Sequence, residues 1–169
     1  KKNNISGSFA EVGVYKGVTS RIIHRLAPER KLYLFDTFEG FSSLDLETGD
    51  NFDDDRRFND TNIEILKGML GNLDNIVIRK GYFPDTTEGL DNECFSFVML
   101  DVDKYKPTLA GLEFFYSRME SGGYIFVHDY NSPESNRGSF RAVNKFLNGK
   151  PEKLVEIPDN WGSILIRKI

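Results

Sequence analysis

Cysteine is nearly absent: Cys94 is the single one in 169 residues. A lone cysteine excludes an internal disulfide framework and fits a reducing compartment, so a cytoplasmic location is expected. With no basic residue beside it in sequence, Cys94 is expected to pack as a small hydrophobe at a strand start, not to act as a nucleophile. Any apolar run of transmembrane length is missing too, as is a signal-peptide pattern, so no membrane partner is expected. Positive charge is not in excess: 22 Lys and Arg stand against 26 Asp and Glu, a net charge of −4. No global basic field then points to nucleic acid. No internal repeat and no linker divides the chain, so residues 1–169 are expected to form one domain with its own core. The chain begins at Lys1, not methionine, and an N-terminal segment is expected to be missing from it.

What is present is an alternation of short apolar runs and helical patterns. Ser8 to Val14 reads as a first strand, with a helix across Val18 to Leu26. Leu32 to Phe35 reads as a second strand. Ile63 to Leu70 has helical spacing, and Asn75 to Arg79 reads as a third strand. Phe95 to Leu100 is a fourth strand, followed by a helix from Pro107 to Met119. Tyr124 to Val127 is a fifth strand, followed by a helix from Ser139 to Leu147. Lys153 to Ile157 and Ser163 to Arg167 flank Pro158, Asp159 and Asn160 and read as a C-terminal hairpin. Such alternation predicts an α/β fold, a mostly parallel sheet covered by helices on both faces. Asp36 to Asn59 breaks the pattern. It is acidic, with Asp53, Asp54 and Asp55 in a row, and reads as a long mobile loop of the kind that serves as a lid. The acidic run itself reads as a solvated surface.

Two strand ends carry the chemistry. The run Phe95 to Leu100 leads straight into Asp101 and Asp103, and Tyr124 to Val127 leads into His128 and Asp129. On neighbouring parallel strands these groups meet at one carboxyl edge, where open α/β sheets bind ligands. Carboxylates and an imidazole converging there suggest a divalent cation. The competing reading is that such Asp residues only cap the helices that follow. At the first strand end, Glu11-Val12-Gly13-Val14-Tyr15-Lys16-Gly17 allows a tight strand-to-helix turn with close backbone approach to a ligand. Tyr15 stands where a dinucleotide fingerprint has its middle glycine; it either packs over a ligand or covers the strand end. Asp36 ends the next strand, where an acid can accept both hydroxyls of a ribose.

Together these residues resemble the class I S-adenosylmethionine-dependent methyltransferases. Glu11-x-Gly13-x-x-x-Gly17 is similar to their first motif, and Asp36 to their ribose-binding acid. More narrowly, the blocks Asp36 to Phe41, Lys80 to Thr86, Leu100 to Thr108 and His128-Asp129-Tyr130 resemble the macrocin O-methyltransferase family. The resemblance runs from about Phe9 to Phe146 and is most specific in Asp101-x-Asp103-x-Tyr105. It implies a doubly wound, Rossmann-like sheet of seven strands in the order 3-2-1-4-5-7-6 with a C-terminal antiparallel hairpin. It also implies S-adenosylmethionine and a divalent metal, magnesium by the hardness of the ligands, and methyl transfer to a hydroxyl of a small molecule such as a sugar or natural product. The implied cofactor contacts are Glu11, Gly13, Tyr15, Gly17, Asp36, Thr37, Gly81 and Asp101. The implied metal ligands are Asp101 and Asp129. His128 stands as the third ligand, at a position where the family often has an aspartate. Asp101, Asp103 and Lys104 are the catalytic candidates. Lys104 matches a general base in the metal-dependent catechol methyltransferases; a solvated surface lysine is the favoured reading. A homo-oligomer is compatible with the family. Two other classes fit the same residues, a non-catalytic nucleoside-binding module and a metal-dependent hydrolase.

Among the remaining candidates, His24 is expected to be a packed or helix-terminal residue. Trp161 is expected to be a core or interface aromatic, and Phe114-Phe115-Tyr116 the buried face of a helix. Arg137 and Arg141 read as solvated helix-start residues, with contact to an anionic acceptor as the alternative.

Overall fold

The computed structural model describes residues 5–47 and 57–169. Its strands are β1 (Ser8–Val12), β2 (Leu32–Asp36), β3 (Ile76–Lys80), β4 (Phe95–Leu100), β5 (Met119–Val127), β6 (Leu154–Ile157) and β7 (Ser163–Arg167). Its α-helices are α1 (Val18–Leu26), α2 (Ile63–Leu70), α3 (Tyr105–Tyr116) and α4 (Gly138–Leu147). The seven strands form one sheet in the order β3-β2-β1-β4-β5-β7-β6. Pairings from β3 through β5 are parallel; β7 runs antiparallel to both β5 and β6. The order and the terminal hairpin are as the sequence implied.

Both faces of the sheet are covered, which is why its central strands read as unbroken apolar runs. Successive side chains of a strand point to opposite faces. Thus Tyr33 and Phe35 of β2 enter one core with Val98, Leu100, Leu112 and Phe115. Leu32 and Leu34 enter the other with Ile23, Leu66 and Leu70. Phe115 is fully buried, its ring 5.0 Å from Phe95, 6.0 Å from Phe35 and 5.8 Å from Phe83. Burying such a ring stabilises the fold by roughly 2–3 kcal/mol. Helix α3 lies close on the sheet because position 111 is glycine: a Cβ there would sit 2.8 Å from Leu100 Cδ2.

Three details differ from expectation. Helix α3 starts at Tyr105 and ends at Tyr116, two residues early at the start and three at the end. Pro107 falls in its first turn, where a missing N–H breaks no helical bond. Arg118 already belongs to the sheet, its carbonyl accepting from Phe95 N at 2.9 Å. Strand β5 therefore begins at Met119, not Tyr124, with a register shift across Glu120 to Gly123 where Gly122 takes φ 83°. Cys94 is exposed, just before β4 begins, and so does not pack as a small hydrophobe. Trp161 is 45% exposed, so of its two expected places, core or interface, only the second remains, and His24 is buried as expected. Phe115 is buried while Phe114 and Tyr116 are only partly so, as one face of a helix requires. No helix among the described residues is long and apolar enough to cross a membrane.

The segment after β2 is structured as far as it is described. Thr37 Oγ1 donates to Gly40 O at 2.7 Å, and Ser42 caps a short 3-10 turn, Ser43–Asp45, by accepting from Leu44 N. Asp53, Asp54 and Asp55 lie outside the described residues.

Candidate active site

The ends of β1 and β2 are stapled to each other. Asp36 Oδ2 accepts from the backbone N–H groups of Val14 at 2.7 Å and Tyr15 at 2.8 Å. Its other oxygen accepts from Phe38 N at 2.6 Å. A carboxylate has about four acceptor positions, so Asp36 both shapes the turn and keeps acceptor capacity for a ligand. The turn needs its glycines. Gly13 has φ +86°, and a Cβ there would fall 1.8 Å from the carbonyl oxygen of Asp101. Gly17, at φ +82°, precedes α1 and packs on Leu66. Tyr15 also takes a left-handed conformation, φ 52°, and its hydroxyl donates to Asp60 at 2.7 Å. Its ring meets the edge of Phe58 at 5.2 Å.

Glu11 is 1% exposed and accepts from the Ser20 hydroxyl. Burial raises its carboxyl to about 8; the Ser20 bond opposes this, while Asp101 and Asp36 add to it. An acid in so dry a place holds its proton more tightly than an exposed carboxyl does.

A cleft of about 280 Å³ opens over these strand ends. It brings together Glu11, Gly13, Tyr15, Gly17, Asp36, Thr37, Gly81 and Asp101, each a residue the sequence singled out. Asp103 lines it as well. Phe41, Asp45, Phe58 and Tyr82 also line it and had not been singled out. Phe41 and Tyr82 fall inside the quoted sequence blocks, which was the available signal; nothing in the sequence marked Asp45 or Phe58.

At the end of β4 and β5, backbone bonds set the positions. Asp101 N donates to Val12 O and His128 N to Leu100 O, both at 2.9 Å. This aligns the three strand ends. Asp101, His128 and Asp129 then offer ligand atoms all within 4.8 Å of one another. His128 Nδ1 lies 3.1 Å from Asp101 Oδ1 and 2.9 Å from Asp129 Oδ2. Those carboxylates, Asp101 foremost, raise the imidazole to about 10 against the opposing effect of burial. Yet Nδ1 is buried and neither approach meets hydrogen-bond geometry. Two carboxylate oxygens and a ring nitrogen this close together are a donor set of the kind that could hold a divalent cation. Asp103 and Asp129 both take positive φ, 56° and 57°. Asp103 is held above the usual carboxylate range, by burial first and then by the charge of Asp129 and Asp101, with Arg57 opposing.

Lys104 is not solvated. It is 9% exposed, and its Nζ stands 4.6 Å from the ring centroid of Phe41. Arg141 is not merely solvated either: it pairs with Glu47 and stacks 4.8 Å from Tyr105. Arg137 lies over the Phe140 ring at 3.9 Å.

A doubly wound sheet of this order, with its cleft over the β1, β2 and β4 ends, is a methyltransferase fold. The macrocin-O-methyltransferase (TylF) family matches residues 1–162, and the chain belongs to it. The chain is 25% identical over 143 residues to the 8-demethyl-8-(2,3-dimethoxy-alpha-L-rhamnosyl)-tetracenomycin-C 4'-O-methyltransferase of Streptomyces olivaceus. It is 26% identical over 148 residues to the demethyldecarbamoylnovobiocin O-methyltransferase of Streptomyces niveus. Each match takes in 76% of this chain but 54% of the relative, so the chain spans about half their length. The O-methyltransferase NovP has the same fold, with a TM-score of 0.77 at 20% identity over 99% of this chain and 74% of that one. A putative methyltransferase from Streptococcus mutans, solved in complex with SAH, gives 0.64 at 14% identity over 98% and 90%.

Proposed function

We propose that this domain transfers a methyl group from S-adenosylmethionine to a hydroxyl of a small molecule, a sugar or sugar-bearing natural product, with a divalent cation at Asp101, His128 and Asp129. One observation carries the reading: Asp101 belongs both to the cleft and to the carboxylate–imidazole cluster. A donor bound in the cleft and an acceptor held at the cluster would therefore meet across a single side chain. The names of the two curated relatives support a sugar or natural-product acceptor.

S-adenosylmethionine supplies an electrophilic methyl group on a sulfonium, which leaves the acceptor hydroxyl as the partner that needs activation. A divalent cation supplies Lewis acidity that lowers the hydroxyl's pKa; two carboxylates favour magnesium, the imidazole being the softer donor. The protein's own groups do the rest. Asp36 fixes the turn whose backbone approaches the donor and offers its remaining acceptor capacity to the ribose hydroxyls. Gly13 keeps that turn against Asp101, so donor and acceptor geometry are set by one contact. Asp103, beside the three proposed ligands, would take the hydroxyl's proton only with a cation there to offset the burial and the neighbouring carboxylates that hold its own proton on. The aromatic rings of Tyr15, Phe41 and Phe58 pack edge to face along the donor side.

Calorimetry with S-adenosylhomocysteine, with and without magnesium, tests the cofactor assignment. Methyl transfer to an α-L-rhamnosyl conjugate then tests the reaction. Absence of S-adenosylhomocysteine binding to the folded domain would sink the reading. Binding without transfer to any hydroxyl acceptor would leave a nucleoside-binding module.

A further inference from the structure

We propose that Lys104 is a positioning residue of the cofactor cleft, not the base of the reaction: with Lys106 and Tyr82 it holds residues Phe41 to Leu46 over the cleft. The inference rests on the reading that the cleft takes S-adenosylmethionine. Phe41 and Asp45 are cleft-lining residues from the segment after β2. Four contacts from three residues outside that segment fix Phe41 to Leu46. The Lys104 ammonium stands on the Phe41 ring at 4.6 Å. Lys106 Nζ donates to two carbonyls, Leu44 O at 2.9 Å and Leu46 O at 2.6 Å. The Tyr82 hydroxyl donates to Asp45 Oδ1 at 2.8 Å.

A lysine that serves as base has to bring a free amine to the acceptor hydroxyl. Here the amine is turned to an aromatic face that forms the donor side. Asp45, buried on the same side, accepts from the Tyr82 hydroxyl, and burial holds its carboxyl above the usual range. The two lysines sit at the start of α3, directly after Asp101 and Asp103. The helix start that follows the proposed metal ligand therefore also holds the cover of the donor pocket. Phe41 passes the restraint on: its ring meets Phe58 at 5.4 Å, and Phe58 meets Tyr15 at 5.2 Å.

The test is S-adenosylhomocysteine affinity by calorimetry in the wild type and in Lys104→Met, Lys104→Arg, Lys106→Met and Tyr82→Phe, with melting temperatures alongside. Loss of the cation on Phe41 should weaken binding about tenfold, the size of one partly desolvated cation–π contact. Lys104→Arg should restore affinity to within about threefold, because the guanidinium also stacks on a ring. Lys106→Met should weaken binding while leaving the melting temperature close to wild type, since this side chain is exposed. A base acts on the acceptor and leaves S-adenosylhomocysteine affinity untouched. Unchanged affinity in Lys104→Met therefore overturns the inference. Should Lys104→Met fail to fold, unchanged affinity in both Lys106→Met and Tyr82→Phe overturns it instead. Absence of binding in the wild type removes the cofactor reading itself, and the inference with it.

Discussion

Glu11 offers a sharp test of how dry the cleft floor is. An unfolded chain releases this proton near 4.5, whereas the folded chain holds it to about 8. Between those values folding takes up a proton, so stability falls as pH rises, by about 1.4 kcal/mol per pH unit. The stabilising contribution is fully present below 4.5 and is lost by the time pH passes about 8. Across that window the loss is about 5 kcal/mol, a large share of a domain's stability. Glu11→Gln keeps an oxygen for the Ser20 hydroxyl and removes the ionisation. The two proteins should be equally stable at pH 4, and the variant should gain steadily above it, by roughly 3 kcal/mol at pH 7. Urea denaturation of both proteins from pH 4 to 9, in one buffer system at constant ionic strength, reads the difference directly. A gap between them that does not change with pH would refute the reasoning, since it would mean Glu11 titrates alike in both states.

Other outcomes follow from the same geometry. Asp36→Ala removes an acceptor from three backbone N–H groups and should destabilise the domain by about 2–4 kcal/mol, measured by urea unfolding, besides weakening S-adenosylhomocysteine binding. Gly13→Ala should cost more than about 2 kcal/mol, because its Cβ would meet the Asp101 carbonyl and its φ is +86°. Asp101→Asn and Asp129→Asn should lower methyl transfer at least about a hundredfold while changing the melting temperature little, with excess magnesium restoring part of the rate. Full activity of both in the presence of a chelator would mean these carboxylates hold no metal.

The sheet was legible because its strands are buried on two sides. Leu32 to Phe35 is apolar throughout, Phe95 to Leu100 is apolar but for Ser96, and no helix period competes. The first half of β5 was not legible: Glu120, Ser121, Gly122 and Gly123 carry no apolar pattern, and the pairing of Met119 with Phe95 and the bonds of Gly122 and Gly123 to Lys168 impose the strand. The strand-end acids stood out because polar groups follow apolar runs abruptly. The cover of the cleft did not. The Tyr82 bond to Asp45 spans 37 positions, and a lysine beside two aspartates reads as solvated until Phe41 is seen beneath it. Burial of Lys104 is a property of the fold, not of its neighbours in sequence.

Asp103 and Asp129 share a left-handed backbone, and this restricts which substitutions their positions tolerate. Aspartate and asparagine reach that conformation at small expense, while most longer side chains resist it. Exchange for glutamate, ordinarily the mild change, would keep the charge and strain the main chain. Exchange for asparagine would keep the main chain and lose the charge. Aspartate alone among the common acids satisfies both demands, so these two positions have almost no neutral neighbours in sequence space.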